Sequence, residues 1–344
     1  MPKFNFAVFF GRFSPYHLGH HSIITKGLEV ADEVIVVIGS HNRPRTLKNP
    51  FLSSERAGMI SASFTESDRE RIKFIYQEDY YYSDTKWLET VTSKINSMIH
   101  RNWRAGPTKI ALIGHKKDGS SYYLNMFPNW DFIDVGNGTN INATSIREDF
   151  YMYGNWSLPF STMTGASYNY LKAIYNDSKD EFDALREEWK FIQNYKKAWA
   201  FAPYAPTFVT CDATVIQSGH VLLVKRRANP GKGLWALPGG FLNQGERIED
   251  GIIRELREET KIKVPEAVLR GNIKTVKVFD HPERSARGRT ITHCALIRLP
   301  NGPLPKIKGS DDAEKAIWLP LSEIDSSKFF EDHHDILTDL KGIE

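Results

Sequence analysis

Residues 240–262 read GFLNQGERIEDGIIRELREETKI and set Gly240, Glu246, Arg254, Glu255, Glu258 and Glu259 in one register. A glycine loop leads into an amphipathic segment. At about 100° per residue, Glu255 and Glu259 fall one turn apart on nearly the same line of a helix. Glu258 lies beside them, and Arg254 can pair with it at i, i+4. Ile252, Ile253 and Leu256 form the apolar stripe, with Glu259 at its margin. Carboxylates crowded there repel one another, and partial burial is unfavourable unless a counter-charge is supplied. A hard, oxygen-seeking divalent cation answers that need, and Mg²⁺ on a pyrophosphate fits best. REET alone would read as an exposed helix laced with weak Glu–Arg pairs; the loop glycine and Glu246 in register turn the reading toward a metal site.

The chain has 344 residues, long for one domain and closer to two at about 150 residues each. Hydrophobic residues make up 41% and charged residues 25%, an ordinary globular composition. A net charge of +3 is too mild to argue for nucleic acid or an anionic membrane as partner. Cys211 and Cys294 lack metal-type spacing, so no disulfide framework is indicated. No run approaches about 18 apolar residues, and the N-terminus reads as a strand rather than a signal peptide. The expectation is a soluble cytoplasmic protein that takes small molecules, with no nucleic acid and no membrane, and with a homo-oligomer left open.

Between Phe4 and Gly136, short apolar runs alternate with helical patterns. Strands are expected at Phe4–Phe10, Glu33–Ile38, Ile72–Tyr76, Lys109–Ile113 and Phe132–Val135, and helices at His21–Ala31 and Thr85–Ile99. That alternation predicts an α/β, doubly wound parallel sheet. Residues 150–180 carry no clear pattern, whereas Asp180–Trp199 reads as a helix with Phe182, Leu185, Trp189 and Ile192 on one side. The stretch Ala202-Pro203-Tyr204-Ala205-Pro206 breaks it. Longer β-type runs follow at Phe208–Gln217, His220–Arg226, Val268–Phe279 and Arg289–Leu299, with a helix near Phe329–Leu340; these predict a mixed-sheet domain. The expected division is residues 1–150, a helical extension and linker over 151–203, and a second domain over 204–344.

Directly after the first strand comes Gly11-Arg12-Phe13-Ser14-Pro15-Tyr16-His17-Leu18-Gly19-His20. A glycine-containing turn from a parallel strand into a helix is where anions bind, because backbone N–H groups and the helix dipole face them. Gly19 allows close approach, while His17 and His20 can donate to phosphate oxygens. A second piece, Ile141-Asn142-Ala143-Thr144-Ser145-Ile146-Arg147, opens a helix after the last strand of the first sheet. Thr144 and Ser145 are expected to cap it.

These segments carry resemblances. Gly240 through Ile262 resembles the Nudix box, G-x5-E-x7-R-E-U-x-E-E-x-G-U with U apolar, of hydrolases that split nucleoside diphosphates linked to another group. Lys261 departs from it, standing where that family has a glycine to end the helix in a left-handed residue. The His17–His20 and Ile141–Arg147 segments resemble the nucleotidyltransferase superfamily. There they imply ATP binding by Gly11, Arg12, Gly19, Thr144, Ser145 and Arg147, and catalysis by His17 and His20. Asn142 replaces that motif's usual serine. Asn49-Pro50-Phe51 with Glu55 and Arg56 is similar to archaeal-type nicotinamide mononucleotide adenylyltransferases, implying mononucleotide contacts from Asn49, Asp84 and Trp87. The run Asp280 to Arg289 resembles ADP-ribose pyrophosphatases, implying that Gly240, Arg284, Arg287 and Arg289 hold ADP-ribose.

Together the whole chain resembles the bifunctional family that joins such an adenylyltransferase, Rossmann-like in fold, to a Nudix ADP-ribose pyrophosphatase of α/β/α mixed-sheet fold. The resemblance implies Mg²⁺ (or Mn²⁺) as cofactor on Glu255, Glu258 and Glu259, with Arg254 among the catalytic residues. It also implies ATP, nicotinamide mononucleotide, NAD and ADP-ribose as small-molecule partners. Asp311, Asp312 or Glu314 is expected to supply a further acid or base, and His333 and His334 are expected on a helix surface. Two other readings stand beside it: a non-catalytic ADP-ribose or NAD sensor in the second half, and adenylylation of another phosphate, such as that of pantetheine or a flavin, by the first.

Overall fold

The protein, seen in a computed structural model, is described over residues 3–102, 108–115, 126–136, 141–156, 159–309 and 313–342. It forms two compact units that divide between Glu187 and Glu188.

In the first unit, strands β1 (Phe4–Gly11), β2 (Ala31–Ile38), β3 (Ile72–Tyr76), β4 (Ile110–Gly114) and β5 (Asp131–Asp134) form a parallel sheet in the order β3-β2-β1-β4-β5. Val8, Ile35 and Val36 are fully buried, as expected where helices cover a parallel sheet and its central strands read as continuous apolar runs. The helices are α1 (Leu18–Val30), α2 (Ser53–Ala62), α3 (Glu66–Arg71), α4 (Asp84–Asn102), α5 (Ala143–Tyr153), α6 (Pro159–Thr162), α7 (Gly165–Asp177) and α8 (Lys179–Lys197). Winding runs outward from β1 to β3, then returns to β4 on the other side of β1. That reversal opens a crevice beyond the C-terminal ends of β1 and β4, where ligands bind in open α/β sheets.

The unpatterned residues 150–180 become α7, which packs on α2: a Cβ at Gly58 would lie 2.2 Å from the Tyr170 hydroxyl. The unit boundary falls within α8, N-terminal to the Ala202–Pro206 stretch.

The second unit is built on a mixed sheet, β10-β11-β6-β7-β12, with two short strands added at β6 and β7. Its strands are β6 (Phe208–Gln217), β7 (His220–Arg226), β8 (Trp235–Ala236), β9 (Gly239–Phe241), β10 (Ile273–Phe279), β11 (Thr290–Arg298) and β12 (Ala313–Pro320); its helices are α9 (Ile248–Thr260), α10 (Glu266–Gly271) and α11 (His333–Leu340). Strands β6 and β11 run parallel, whereas β6–β7, β7–β12 and β10–β11 are antiparallel. The β6–β7 hairpin closes through Ser218 and Gly219 at φ 45° and 73°, both positive as a tight two-residue turn requires. Ile252, Ile253 and Leu256 bury the inner face of α9 against the sheet, each contributing about 1.5–3 kcal/mol.

Three expectations are corrected. Residues 268–271 are helical, and the strand begins only at Ile273; Pro265 opens a short helix that buries Leu269 while Val268 faces out. The last helix begins at His333 rather than Phe329, because Phe329 and Phe330 are buried in the approach to it and Glu331 adopts a left-handed backbone. Lys261 ends α9 although it is not glycine: it takes φ 45°, ψ 31° itself, and its N–H bonds the Arg257 carbonyl.

His333 is not a surface residue. It is buried, and its Nδ1 accepts the Leu237 N–H at 3.1 Å, so the ring must be neutral. Burial pushes its pKa down to about 3, against about 6.5 in an unfolded chain. Between those values the unfolded state takes up a proton that the folded state refuses, so stability falls as pH drops below about 6.5, by about 1.4 kcal/mol per pH unit. His333→Asn keeps an acceptor but cannot titrate. From pH 7 to pH 5 its loss of stability should be about 2 kcal/mol smaller than the parent's, read from urea unfolding followed by hydrogen exchange of β6 amides. Equal losses in the two proteins would refute this role for His333.

Candidate active sites

The first site lies at the crevice of the parallel sheet. Leaving β1, the chain turns through Phe13, buried at φ 53°, and reaches His17 at the N-cap of α1. The His17 Nδ1 accepts the Gly19 N–H at 3.1 Å, which leaves Nε2 as its donor. The His20 ring stacks on His17 with centroids 3.8 Å apart. The predicted pair is therefore one preformed unit over the helix N-terminus.

Positive charge converges on the same turn. Arg147 is buried and donates to the Ser14 carbonyl at 2.5 Å and to Thr144 Oγ1 at 3.2 Å. Arg56, only 1% exposed, donates to the carbonyls of Arg12, Gly39 and Ser40 at 2.6, 2.7 and 3.0 Å. Burial pushes both guanidinium pKa values down to about 10, and the Arg12 charge adds to the effect at each. Arginines that repel one another in a half-dry crevice make a site for a polyanion. Sequence reasoning placed Arg56 with substrate choice; the structure shows it pinning the ends of β1 and β2.

The cap of α5 is corrected. Asn142, extended at φ −132°, accepts the Ser145 N–H at 2.8 Å, so the asparagine in the serine position is itself the cap. Thr144 instead accepts from Arg147.

Asn49 is buried, with its backbone tied to Thr46, and among the described residues its Oδ1 has no partner. Its loop is clamped by Arg45, which grips Glu55 at 2.6 and 2.7 Å and the Pro50 carbonyl at 2.8 Å, and also pairs with Glu181. Asp84 is exposed at the start of α4. Trp87 is partly buried, packing 5.8 Å from Phe10 against the sheet's core.

The second site surrounds Gly239 and Gly240 at the start of β9. Arg254 is its hub: it holds both Glu246 oxygens at 2.7 and 2.9 Å, Glu255 at 2.6 Å, Glu258 at 3.1 Å and the Phe241 carbonyl at 3.1 Å. The guanidinium holds the Glu246 carboxyl down to about 2. Glycine is required beside it. A Cβ at Gly240 would lie 2.6 Å from the Glu255 carboxylate, and one at Gly239 would lie 2.2 Å from Asp212 Oδ1.

Glu255, Glu259 and Gly240 line one cleft of 420 Å³, together with Asp212, Arg226, Arg284, Arg287 and Glu331. Glu259 accepts the Gly239 N–H at 2.9 Å, yet burial pushes its pKa up to about 8, with the Glu255 and Asp212 charges adding. Asp212, buried and hydrogen-bonded to Thr292, is pushed up to about 6. Such under-compensated carboxylates fit a divalent cation. Among the described residues no three groups already form a cage, because Arg254 draws Glu255 and Glu258 toward itself. Glu258 faces the outer side of α9 and is half exposed.

Of the predicted arginines, Arg284 and Arg287 reach the cleft. Arg284 is buried and paired with Asp332 at 2.9 and 3.1 Å. Arg287 lies over the Phe241 ring at 5.0 Å. Arg289 turns to Asp280 instead. Asp311, Asp312 and the Glu314 side chain lie outside what the structure describes. Sequence reasoning missed Asp212, Arg226 and Glu331. Asp212 could have been found as the one charge inside an apolar strand, whereas Arg226 and Glu331 sit at element ends that give no signal.

Comparison with known proteins agrees with two domains of these folds. Residues 8–149 match the cytidylyltransferase-like family and residues 207–340 the NUDIX domain family. A nicotinamide/nicotinic acid mononucleotide adenylyltransferase of Acinetobacter baylyi is 41% identical over 44% of this chain and 78% of its own length. An ADP-ribose pyrophosphatase of Methanocaldococcus jannaschii is 34% identical over 40% of this chain and 74% of its own. The crystal structure of a bifunctional NMN adenylyltransferase/ADP ribose pyrophosphatase from Francisella tularensis, complexed with AMP and a manganese ion, superposes with a TM-score of 0.90 at 37% identity, covering 98% of this chain and 99% of that one. The chain therefore belongs to the family of bifunctional nicotinamide mononucleotide adenylyltransferase/ADP-ribose pyrophosphatases.

Proposed function

We propose that this chain carries two reactions of NAD metabolism in the cytoplasm, each in its own unit. In the first, the phosphate of nicotinamide mononucleotide attacks the α-phosphorus of ATP, giving NAD⁺ and pyrophosphate. In the second, water cleaves the diphosphate of ADP-ribose, giving AMP and ribose 5-phosphate. The observation that carries this reading is the contrast between the sites: repelling arginines in one crevice, under-compensated carboxylates in the other.

In the transferase unit, the N-terminus of α1, with Gly11 and Gly19 leaving room for the backbone, receives the triphosphate. Arg12 and Arg147 neutralise it, and His17 and His20 donate to the oxygens that gain charge as the α-phosphorus is attacked. Asn49 offers its buried Oδ1 to the mononucleotide, an acceptor suited to the amide of a nicotinamide ring. No covalent intermediate is needed; positioning and charge neutralisation suffice.

In the hydrolase unit, Glu255 and Glu259, with Glu258 after rotation from Arg254, would hold Mg²⁺ or Mn²⁺. A cation bound there polarises the bridging phosphates and makes water acidic enough to attack. Arg254 orients Glu255, while Arg226 and Arg287 meet the diphosphate. Gly240 keeps the loop open to the ligand.

Replacing both His17 and His20 by alanine should lower NAD⁺ formation by about 100-fold or more while AMP release from ADP-ribose persists. Glu259→Gln should do the reverse. Loss of both activities in either variant would contradict separate sites.

A further prediction comes from Glu259. With its pKa raised to about 8, the carboxyl carries a proton at pH 7, and a cation must displace it. Mn²⁺ titration at pH 7 should release a proton, seen as a heat that varies with the buffer's ionisation enthalpy; affinity should rise with pH and level off above about 8. In Glu259→Gln the buffer dependence should vanish. Identical heats in phosphate and Tris for the parent would exclude this linkage.

A further inference from the structure

Glu331 takes no part in the chemistry derived above, yet the fold places it with care. It precedes α11 at φ 42°, in the left-handed region that side chains other than glycine avoid. Such a conformation persists only where the surroundings impose it, and here they do. Its neighbour Asp332 is wholly engaged in the buried pair with Arg284, and His333 is anchored on Leu237. Glu331 is thereby turned into the cleft it shares with Glu255 and Glu259.

Its Oε1 accepts the Ala286 N–H at 3.1 Å, and among the described residues no donor meets Oε2. That N–H belongs to the loop before β11, whereas Glu259 is held by the Gly239 N–H of β9, and Arg226 feels both carboxylates. Glu331 therefore enters the cleft from a different wall than the carboxylates of α9.

The walls around it are stiff. Arg226 lies over the Phe330 ring at 4.0 Å and Arg287 over Phe241 at 5.0 Å, and the Arg287 Nε is buried without a partner among the described residues. Two stacked guanidiniums suit a diphosphate. A carboxylate between them would repel one, so it must face a part of the ligand that donates hydrogen bonds. ADP-ribose offers two kinds of donor, the adenine amino group and the ribose hydroxyls. A flat base needs an open apolar face, and here guanidiniums cover the Phe330 and Phe241 rings. A cis-diol, with two adjacent O–H donors, matches an acceptor-only carboxylate.

We propose that Glu331 is a specificity-determining residue of the hydrolase site, accepting hydrogen bonds from a ribose cis-diol of the substrate; this rests on the ADP-ribose hydrolase reading above. Burial pushes its pKa up to about 7, against the pull of Arg287, so the accepting form prevails at pH 8.

The test compares the full-length parent with Glu331→Gln at pH 8 with Mn²⁺, scoring release of the nucleoside monophosphate (AMP, or deoxy-AMP where the adenosine ribose is altered) from ADP-ribose and from two analogues, one lacking a hydroxyl of each ribose. The parent should disfavour one analogue by about tenfold or more, through KM, and which one identifies the ribose that is read. In Glu331→Gln, ADP-ribose should fall to the level of that analogue, with kcat within about threefold of the parent. If the glutamine variant does not accumulate as folded protein, Glu331→Asp carries the same comparison. A parent indifferent to both deletions would overturn the proposal. So would a variant that keeps the parent's selectivity, or one that loses kcat at unchanged KM. A parent that released no AMP from ADP-ribose at all would overturn the hydrolase reading itself, and the proposal with it.

Discussion

Arg254 holds two Glu246 oxygens, Glu255, Glu258 and a loop carbonyl in one planar fork, and the hydrolase site depends on that convergence. Without it, the glutamates at the margin of α9 would repel one another, and the Gly239–Phe241 strand would keep only the Gly239–Glu259 bond to the helix. The arrangement is selective, however. Arg254 satisfies Glu246 fully, Glu255 and Glu258 in part, and leaves Glu259 to a single backbone N–H. Of the three glutamates of α9 that the helix turns toward this region, Glu259 is thus the one Arg254 does not reach.

The transferase unit reaches the opposite polarity by a related device. Arg56 and Arg147 are buried with carbonyl partners rather than carboxylates, so their hydrogen bonds are met while their charge is not cancelled. Carbonyls at the ends of β1 and β2 and in the turn after β1 are the partners, which ties the electrostatics to the sheet's topology. The same contacts that fix the crevice's shape keep it positive. A polyanion entering there meets donors already oriented, and little reorganisation is needed when charge develops.

Much of this was legible because periodicity and motif spacing are local. The parallel sheet followed from apolar runs that helices must cover on both faces, and α9 from Ile252, Ile253 and Leu256 at helical spacing. What escaped depends on tertiary partners. Strand β12 is recognisable only through its pairing with β7. His333 looks like one half of an exposed pair until Leu237 and the Arg284–Asp332 pair enclose it. Val268–Gly271 leads directly into the β-type run that ends at Phe279, but the docking of Leu269 on the core makes it helical. Asn142 and Lys261 teach a finer lesson. Each departs from its motif, yet each performs the motif's task, Asn142 by offering an equivalent oxygen and Lys261 by accepting a left-handed backbone.

Lys261 and Glu331 share that left-handed conformation, and the difference between them is instructive. At Lys261 the geometry serves the helix terminus: its N–H reaches the Arg257 carbonyl, the side chain points to solvent, and a glycine would do as well. At Glu331 a glycine would relieve the same backbone strain but remove a carboxylate from the cleft. Strain accepted for a side chain rather than for a turn marks a position where chemistry, not folding, sets the residue. Glu331 stands between the buried Arg284–Asp332 pair and the aromatic ring under Arg226, so the surrounding fold supplies the energy that holds it there. The second unit therefore brings two acidic groups into one cleft on different partners: Glu259 on the Gly239 N–H of β9, and Glu331 on the Ala286 N–H of the loop before β11.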